Sequence, residues 1–475
     1  MKQQRLRFRI LAFVVIGLLG VAAVYGAYSV TMYGSRWFSS AKNTRYRSAK
    51  RAVIQGDIVD RNGIVLASTD SEGKRTYQSN LASRRAVVHL LGDADGNVAN
   101  GVDSFQANYL LGFETGLSER VSALIRGETR RGDNVMITAD SKLCAEIVST
   151  FENGEKTKGL NGAAVVMNYK TGEVLALVSL PVFDPLKVDE SVKTDNNHPF
   201  WNRATQSTLP PGSTFKIITA VSSMQNMTDA LTHVYECTGA TQVMDHIIQD
   251  YGKEQHGKLT LQKAFRVSCN NTFAQIALTV GDDKLRKTAE SFGFNQNFLF
   301  RDVVVENSNY PTTDRNNVEI AWSGAGQSKV VATPLHMCMV AAAIANDGVM
   351  MEPRLLGRVE SPTKVIRQKF TQKVYTTACT PEIAATMQTY MKDVVANGTG
   401  SSAQVSGLTI AGKTGSAEAS VDGKETTHAW FVGYIADESY PYAVSVMVEG
   451  GGSGGGVAAP VAKKIFQYLK ENAKK

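Results

Sequence analysis

From Ile10 to Val30 the chain carries no charged residue, and this run limits the fold more than any other stretch does. A helix rises about 1.5 Å per residue, so about 20 apolar residues cross the roughly 30 Å hydrocarbon core of a bilayer. Inside hydrocarbon, a lone segment satisfies all its backbone groups only as a helix. A cleaved signal peptide is the alternative, and small residues near Ala23 and Gly26 would suit a peptidase. Its apolar region is usually about 7–15 residues, shorter than this run, so an uncleaved anchor over 10–31 is expected. Lys2, Arg5, Arg7 and Arg9 precede the run, and Arg36, Lys42, Arg45, Arg47, Lys50 and Arg51 follow it. A long C-terminal part translocates largely regardless of flanking charge. The tail 1–9 is therefore expected inside and the remainder outside the membrane.

Those ten cations all lie before the first acidic residue, Asp57, and account for the excess of 51 basic over 44 acidic side chains. The rest of the chain is slightly acidic, so the high isoelectric point is no argument for nucleic-acid binding. A length of 475 residues suggests two or three folded units. The five cysteines (Cys144, Cys237, Cys269, Cys338, Cys379) are scattered and form no Cys-x-x-Cys, and there is no His-Glu-x-x-His. Neither a disulfide framework nor a metal centre nor another cofactor is expected. Cys338 lies in an apolar helical pattern and reads as core.

Asn62-Gly63 between β-branched residues of 52–68 predicts a hairpin, with helices near 107–126 and 141–152. Nothing before about Gly159 looks catalytic, so 32–158 reads as a pedestal and 159–475 as a second unit. There the valine-rich runs 163–168 and 173–180 flank Tyr169-Lys170-Thr171-Gly172 and predict a hairpin. Helical patterns follow at 215–227, 261–280 and 334–346. Strands are expected at 430–436 and 442–449, then a flexible glycine turn over 450–456 and a helix over 458–472. Strands at both ends with helices between predict an α+β domain whose sheet joins its N- and C-terminal strands.

Ser-x-x-Lys occurs at Ser39, Ser71, Ser213 and Ser361. Ser39 lies in the basic juxtamembrane stretch, Ser71 precedes Glu72-Gly73, and Ser361 precedes Pro362. Only Ser213 follows a Pro-Gly turn and opens an apolar helical run, where free N–H groups and the helix dipole favour negative charge. Lys216, one turn on, shares its face and, if neutral, can serve as its base. Burial or a nearby cation would lower its pKa, and Lys413 is the candidate cation. Ser268-Cys269-Asn270 offers a hydroxyl for proton transfer and an amide for substrate. Lys413-Thr414-Gly415-Ser416, on an expected strand, offers a cation, hydroxyls and exposed backbone for a peptide carboxylate laid along a strand edge.

Ser-x-x-Lys, Ser-x-Asn and Lys-Thr-Gly in this order mark penicillin-binding proteins and serine β-lactamases. The chain resembles a class B penicillin-binding protein over nearly its whole length. The likeness is carried by Gly56-Asp57-Ile58-Val59-Asp60-Arg61-Asn62-Gly63, Gly172-Glu173-Val174-Leu175-Ala176, Pro211-Gly212-Ser213-Thr214-Phe215-Lys216, Gly324-Ala325-Gly326-Gln327 and Trp430-Phe431-Val432-Gly433. It departs at Gln55, where arginine is usual, at Cys269, which brings a thiol to the site, and at Ser416, where threonine is commoner. The resemblance implies a β-lactamase-like transpeptidase domain behind an elongated mixed α/β pedestal and one transmembrane helix. It implies a peptidoglycan D,D-transpeptidase acting on D-Ala-D-Ala stem peptides and acylated by β-lactams. Ser213, Lys216, Ser268 and Lys413 would be catalytic, and Asn270, Thr414, Gly415 and Ser416 would bind substrate. The N–H groups of Ser213 and Ser416 would form an oxyanion hole. A membrane glycan polymerase of the SEDS class would be the pedestal's partner.

Rivals differ in what the chain lacks. No Glu-x-x-Leu-Asn lies between Asn270 and Lys413, as a class A β-lactamase would need. The segment between anchor and hairpin is too short for a glycosyltransferase. A single anchor without a protease motif argues against a β-lactam sensor, and the intact motifs argue against an inert scaffold. A D,D-carboxypeptidase, which uses water in place of an amine, stays open.

Overall fold

The computed structural model describes residues 2–38, 50, 53–113, 116, 125, 129–312, 316–421 and 424–472. The first helix, α1 (Lys2–Phe38), contains a 25-residue span, Leu6–Val30, of mean hydropathy 2.5, long and apolar enough to cross a membrane. Leu11, Phe13, Leu18 and Val24 on it are all exposed. In the basic stretch after it, Lys42, Arg45, Arg47 and Arg51 lie outside the described residues.

The N-terminal unit comprises β1 (Ile58–Val59), β2 (Val65–Thr69), β3 (Arg75–Tyr77), β4 (Asn134–Ile137) and α2 (Ser141–Asn153). The Asn62-Gly63 turn forms as expected. Its backbone is held by Asp60 Oδ1, which accepts N–H bonds from Asn62 at 2.8 Å and Ile64 at 2.9 Å. Asp140 caps α2 by accepting from Lys142 and Leu143 N–H. Leu143, Ile147, Val148 and Phe151 bury one face at the spacing of an amphipathic helix. Of the helix expected at 107–126, Ala107–Leu110 and Ile125 are helical among the described residues, and most of the stretch 114–126 lies outside them.

Next come β5 (Gly162–Asn168), β6 (Val174–Leu180), α3 (Lys216–Asn226), β7 (Tyr235–Cys237), β8 (Gly257–Leu259), α4 (Leu261–Val267), α5 (Asn270–Val280) and α6 (Pro334–Ala345). The chain continues through β9 (Leu356–Glu360), β10 (Ile366–Lys369), α7 (Pro381–Asn397), β11 (Ile410–Val421), β12 (Lys424–Ile435), β13 (Tyr442–Val448) and α8 (Ala459–Asn472). An antiparallel sheet in the order β11-β12-β13-β5-β6 joins both ends of this part, as the strand pattern led us to expect. Helix α6, buried along its whole length, packs against β5, β12 and β13, while α2 and α8 pack on β6, β12 and β13. Covered strands need no polar face, which is why β5 and β6 read as continuous apolar runs.

Three expectations change. The helical run 261–280 is two helices, because Ser268 turns left-handed (φ +61°) and ends α4. The stretch 450–456 is not a free turn, since Gly454 packs onto the sheet. The N-terminal sheet runs β10-β9-β4-β1-β2-β3, so a hairpin from beyond residue 350 completes it. Leu356 and Val359 are buried there beside Val135 and Ile137.

Candidate active site

The nucleophile segment is a short 3-10 turn, Gly212–Phe215, that runs straight into α3. Phe215 anchors it, with its ring stacked on Tyr310 and edge-on to Phe294. Gly212 N–H donates to Gly326 O at 3.0 Å. Gly326 is at φ +72°, and a Cβ there would sit 2.1 Å from Gly212 O, so this contact admits no side chain. Ser213 is thereby presented, half-buried, on a groove of about 670 Å³ that Ser268, Asn270, Thr414 and Ser416 also line.

Lys216, three residues on from Ser213, is fully buried. Its Nζ donates to Ser268 O at 2.6 Å, Asn270 Oδ1 at 2.7 Å and Ser268 Oγ at 3.3 Å, and lies 5.3 Å from the centre of the Phe273 ring. Burial pushes its pKa down to about 8, against the opposing pull of Cys269 and Asp250. Lys413 on β11 donates to Ser268 Oγ at 2.8 Å and Thr414 O at 3.0 Å. The two lysines thus meet on one hydroxyl. Lys413 is the candidate cation beside Lys216, and it is itself held well below its ordinary value by burial and then by the charge of Lys216, so each lysine disfavours the other's charge.

The left-handed break at Ser268 aims its carbonyl and hydroxyl at the lysines, and α5 restarts at once with Asn270. The restart is fixed by Asp250, whose Oδ1 accepts the N–H of Asn270 and, at 3.3 Å, that of Asn271. Asn270 Nδ2 donates to Gln249 O at 3.1 Å, which sets its amide. On the opposite wall β11 is the sheet's edge strand. Thr414 Oγ1 pairs with Thr399 Oγ1 at 2.6 Å, and Ser416 Oγ accepts Gly454 N–H at 3.2 Å. A Cβ on Gly454 would lie 2.3 Å from Gly415 O, so the glycine-rich stretch braces this strand. Gly415 itself sits opposite Trp430 and behind the groove wall.

All eight candidate residues therefore come together. Ser71, Ser361 and Lys170 lie elsewhere, and Ser39 falls outside the described residues. Sequence reasoning missed Asp250 and Thr399, which no local motif marks; Gly326 stood in the quoted Gly324-Ala325-Gly326-Gln327 segment, but its contact with Gly212 did not show there. It also missed a group next to the site. Cys237, Asp250, His256 and Cys269 each bring a donor atom within 4.8 Å of the others, although their spacing matches no familiar metal motif.

A family described as the penicillin binding protein transpeptidase domain matches residues 162–467. The chain is 29% identical over 445 residues to the peptidoglycan D,D-transpeptidase PbpA of Mycolicibacterium smegmatis, covering 88% of this chain and 90% of that one. It is 30% identical to stage V sporulation protein D of Bacillus subtilis over 71% of this chain and 53% of the relative. It superposes on the ceftriaxone acyl-enzyme complex of penicillin-binding protein A from M. tuberculosis with a TM-score of 0.80 at 26% identity, covering 88% and 99% of the two chains. The family match runs from the first strand of the five-stranded sheet into its last helix, behind an N-terminal unit and an apolar helix, and the chain belongs to the class B penicillin-binding proteins.

Proposed function

We propose that this chain is a peptidoglycan D,D-transpeptidase that works through an acyl-enzyme on Ser213. The observation that carries the reading is the shared hydroxyl. Lys216 and Lys413 both donate to Ser268 Oγ, and burial lowers the pKa of both lysines, so a proton can pass along the line beneath the nucleophile. Neutral Lys216 takes the proton of Ser213, whose Oγ adds to the carbonyl of the penultimate D-alanine of a stem peptide. Backbone N–H groups of Ser213 and Ser416 hold the oxyanion, where a well-aimed donor contributes about 3–4 kcal/mol. The tetrahedral centre collapses as the C–N bond breaks, and the departing D-alanine amine takes a proton relayed through Ser268. Asn270 holds the substrate amide, and Thr414 and Ser416 hold its terminal carboxylate, with Gly415 letting that strand sit close. The amine of a second stem then displaces Ser213 and forms the cross-link. A β-lactam opens on the same hydroxyl and stays attached.

Fluorescent penicillin should label the full chain covalently and fail to label Ser213→Ala. Equal labelling of the two proteins would sink the assignment. The amine acceptor is supported by relatives named as transpeptidases, and mass spectrometry of products from a donor stem and an amine separates it from water.

The anchor is read as a single pass, with the catalytic domain outside the membrane. Residues 32–158 are read as a pedestal that docks a SEDS-type glycan polymerase, and 159–475 as the transpeptidase domain. The supporting observation is that no candidate catalytic residue lies in the first 158 residues. Loss of polymerase co-purification when residues 1–158 are replaced by an unrelated anchor, in a chain that fluorescent penicillin still labels, is the expected result, and unchanged co-purification would refute it.

A further inference from the structure

The antiparallel pair β11–β12 has two faces, and the catalytic groove uses one of them. Residues directly opposite each other on such a pair share a face, and successive residues alternate. Glu418 and Thr427 are paired and line the groove. Their neighbours on β12 point the other way, and there Thr426 and His428 line a second pocket of about 830 Å³. Its other walls come from the loop that leads to the nucleophile, with Trp201, Gln206 and Leu209, and from Asn97 and Ala99 of the N-terminal unit. A concave site of this size at a junction of two folded parts is a usual place for a small ligand.

The walls are fixed in advance. Phe200 stands edge-on to Phe183 with ring centres 5.1 Å apart, and His89 Nε2 donates to Pro199 O at 2.6 Å. Trp201 nevertheless stays exposed, and its Nε1 donates to Ser207 Oγ at 2.9 Å, which holds the indole at the pocket wall. His428 is only 2% exposed, and its Nδ1 accepts Gly450 N–H at 3.2 Å. Burial keeps this ring neutral, so its proton is on Nε2, and that donor has no partner among the described residues. Buried donors are almost always paired, so this one marks a place for an acceptor. Gln206 Oε1 accepts Asn202 N–H at 2.9 Å, and Asn97 Nδ2 donates to Asp93 Oδ2 at 2.7 Å. Each amide is thereby oriented, with Gln206 Nε2 left as a donor and Asn97 Oδ1 as an acceptor. The charges of the wall cancel, Lys193 and Arg203 against Asp195 and Glu449, which favours a neutral ligand over an ion. An aromatic surface among mixed donors and acceptors suits a sugar ring, whose C–H faces are apolar and whose hydroxyls both give and accept. Phe200 and Leu209 suit the methyl of an acetyl group.

The pocket also lies where the substrate leads. In the proposed reaction the terminal carboxylate of the stem lies at Thr414 and Ser416, and the scissile carbonyl at the N–H of Ser416. The earlier residues of the stem then run along β11 past Ser416 toward Glu418, the part of the ribbon whose other face borders the second pocket. We infer that this pocket binds a neutral, N-acetylated saccharide of the glycan strand that bears the acylating stem, so that the substrate is held by its sugar while its peptide lies in the groove. The role follows from the reading of Ser213 as the residue that takes the stem, whereas the ligand chemistry follows from the pocket alone.

The test uses the full chain in a detergent without a sugar headgroup, with neutral tetra-N-acetylchitotetraose as the probe. Saturation-transfer NMR should show contact with the acetyl methyls, and titration calorimetry should give saturable binding. Trp201→Ala should weaken binding about tenfold, and Trp201→Phe should keep most of it. Ala99→Trp, which fills the pocket from an exposed rim position, should abolish binding with Tm unchanged. Maltotetraose, which has no acetyl groups, should bind about tenfold more weakly than the probe. With a disaccharide-linked stem as substrate, Trp201→Ala should raise KM about tenfold, with a smaller effect on a free stem. Ser213→Ala cannot be acylated yet should bind the probe as the unmodified chain does, so a failure of Ser213 chemistry remains distinguishable from a failure of this pocket. Absence of probe binding to the unmodified chain would overturn the proposal. So would binding that survives both Trp201→Ala and Ala99→Trp, or equal binding of maltotetraose.

Discussion

At the residue scale the chemistry turns on a lysine that has to be neutral. Lys216 has no exposed surface and a pKa near 8 set by burial, so a sizeable fraction is unprotonated near neutrality. Only that fraction can take the Ser213 proton. Protonation therefore inactivates, and the rate of acylation by a β-lactam should rise with pH through an apparent pKa near 8. It should fall about tenfold per unit well below that value. Because Lys216 and Lys413 share Ser268 Oγ and each disfavours the other's charge, the titration belongs to the pair. Lys216→Arg keeps the charge and removes the base, so acylation should drop by about 100- to 10,000-fold and lose the pH dependence. Stopped-flow acylation from pH 6 to 10 checks both. A flat profile in the unmodified chain would remove Lys216 from the role of base.

At the element scale the decisive event is one residue where α4 becomes α5. Ser268 is held at φ +61°, a conformation that costs a residue with a Cβ about 1–2 kcal/mol. The site keeps that strain because the turn points both a carbonyl and a hydroxyl at Lys216. Ser268→Ala and Ser268→Gly both delete the hydroxyl, but only glycine relieves the backbone. Both should lose most acylation, with the glycine variant the more stable by about 1 kcal/mol in denaturant unfolding. Equal stability would mean the turn is unstrained. This break was invisible in the sequence, where the apolar spacing of 261–280 continues through Ser268 and a serine gives no sign of a left-handed turn. The β5–β6 hairpin and α6 were legible because their apolar runs and their punctuation, Lys170-Thr171-Gly172 and Pro334, act locally. The eight motif residues were legible through their order. The four-donor cluster was not, since its members share no element and meet only after α4, α5 and the β7–β8 pair are packed.

At the scale of the molecule, the division near residue 159 that composition suggests is crossed by the fold. Strands β9 and β10 come from beyond residue 350 yet extend the N-terminal sheet through β4. Thr138 Oγ1 donates to Val174 O at 2.8 Å and to Arg354 O at 2.9 Å, tying the two parts at a buried point. One apolar cluster runs from Ile58 on β1 through Phe151 on α2 to Leu469 on α8. Sequence patterns report local periodicity, so a strand pair formed across more than 200 residues of chain left no trace in them. Its energetic consequence is cooperativity. Side chains such as Leu356 and Val359 each contribute about 1.5–3 kcal/mol through burial, and they are buried only while both parts are folded. That is a large share of a total stability of about 5–15 kcal/mol. Residues 53–475, freed of the anchor, should therefore unfold in scanning calorimetry as a single transition with matching calorimetric and van't Hoff enthalpies. Residues 159–475 alone should melt roughly 10 °C lower or aggregate, because the β9–β10 hairpin and the face of β6 beneath α2 lose their cover. Two separate transitions in the longer piece, with the later one unchanged in the shorter, would show that the shared sheet carries no coupling and that the pedestal is an independent domain.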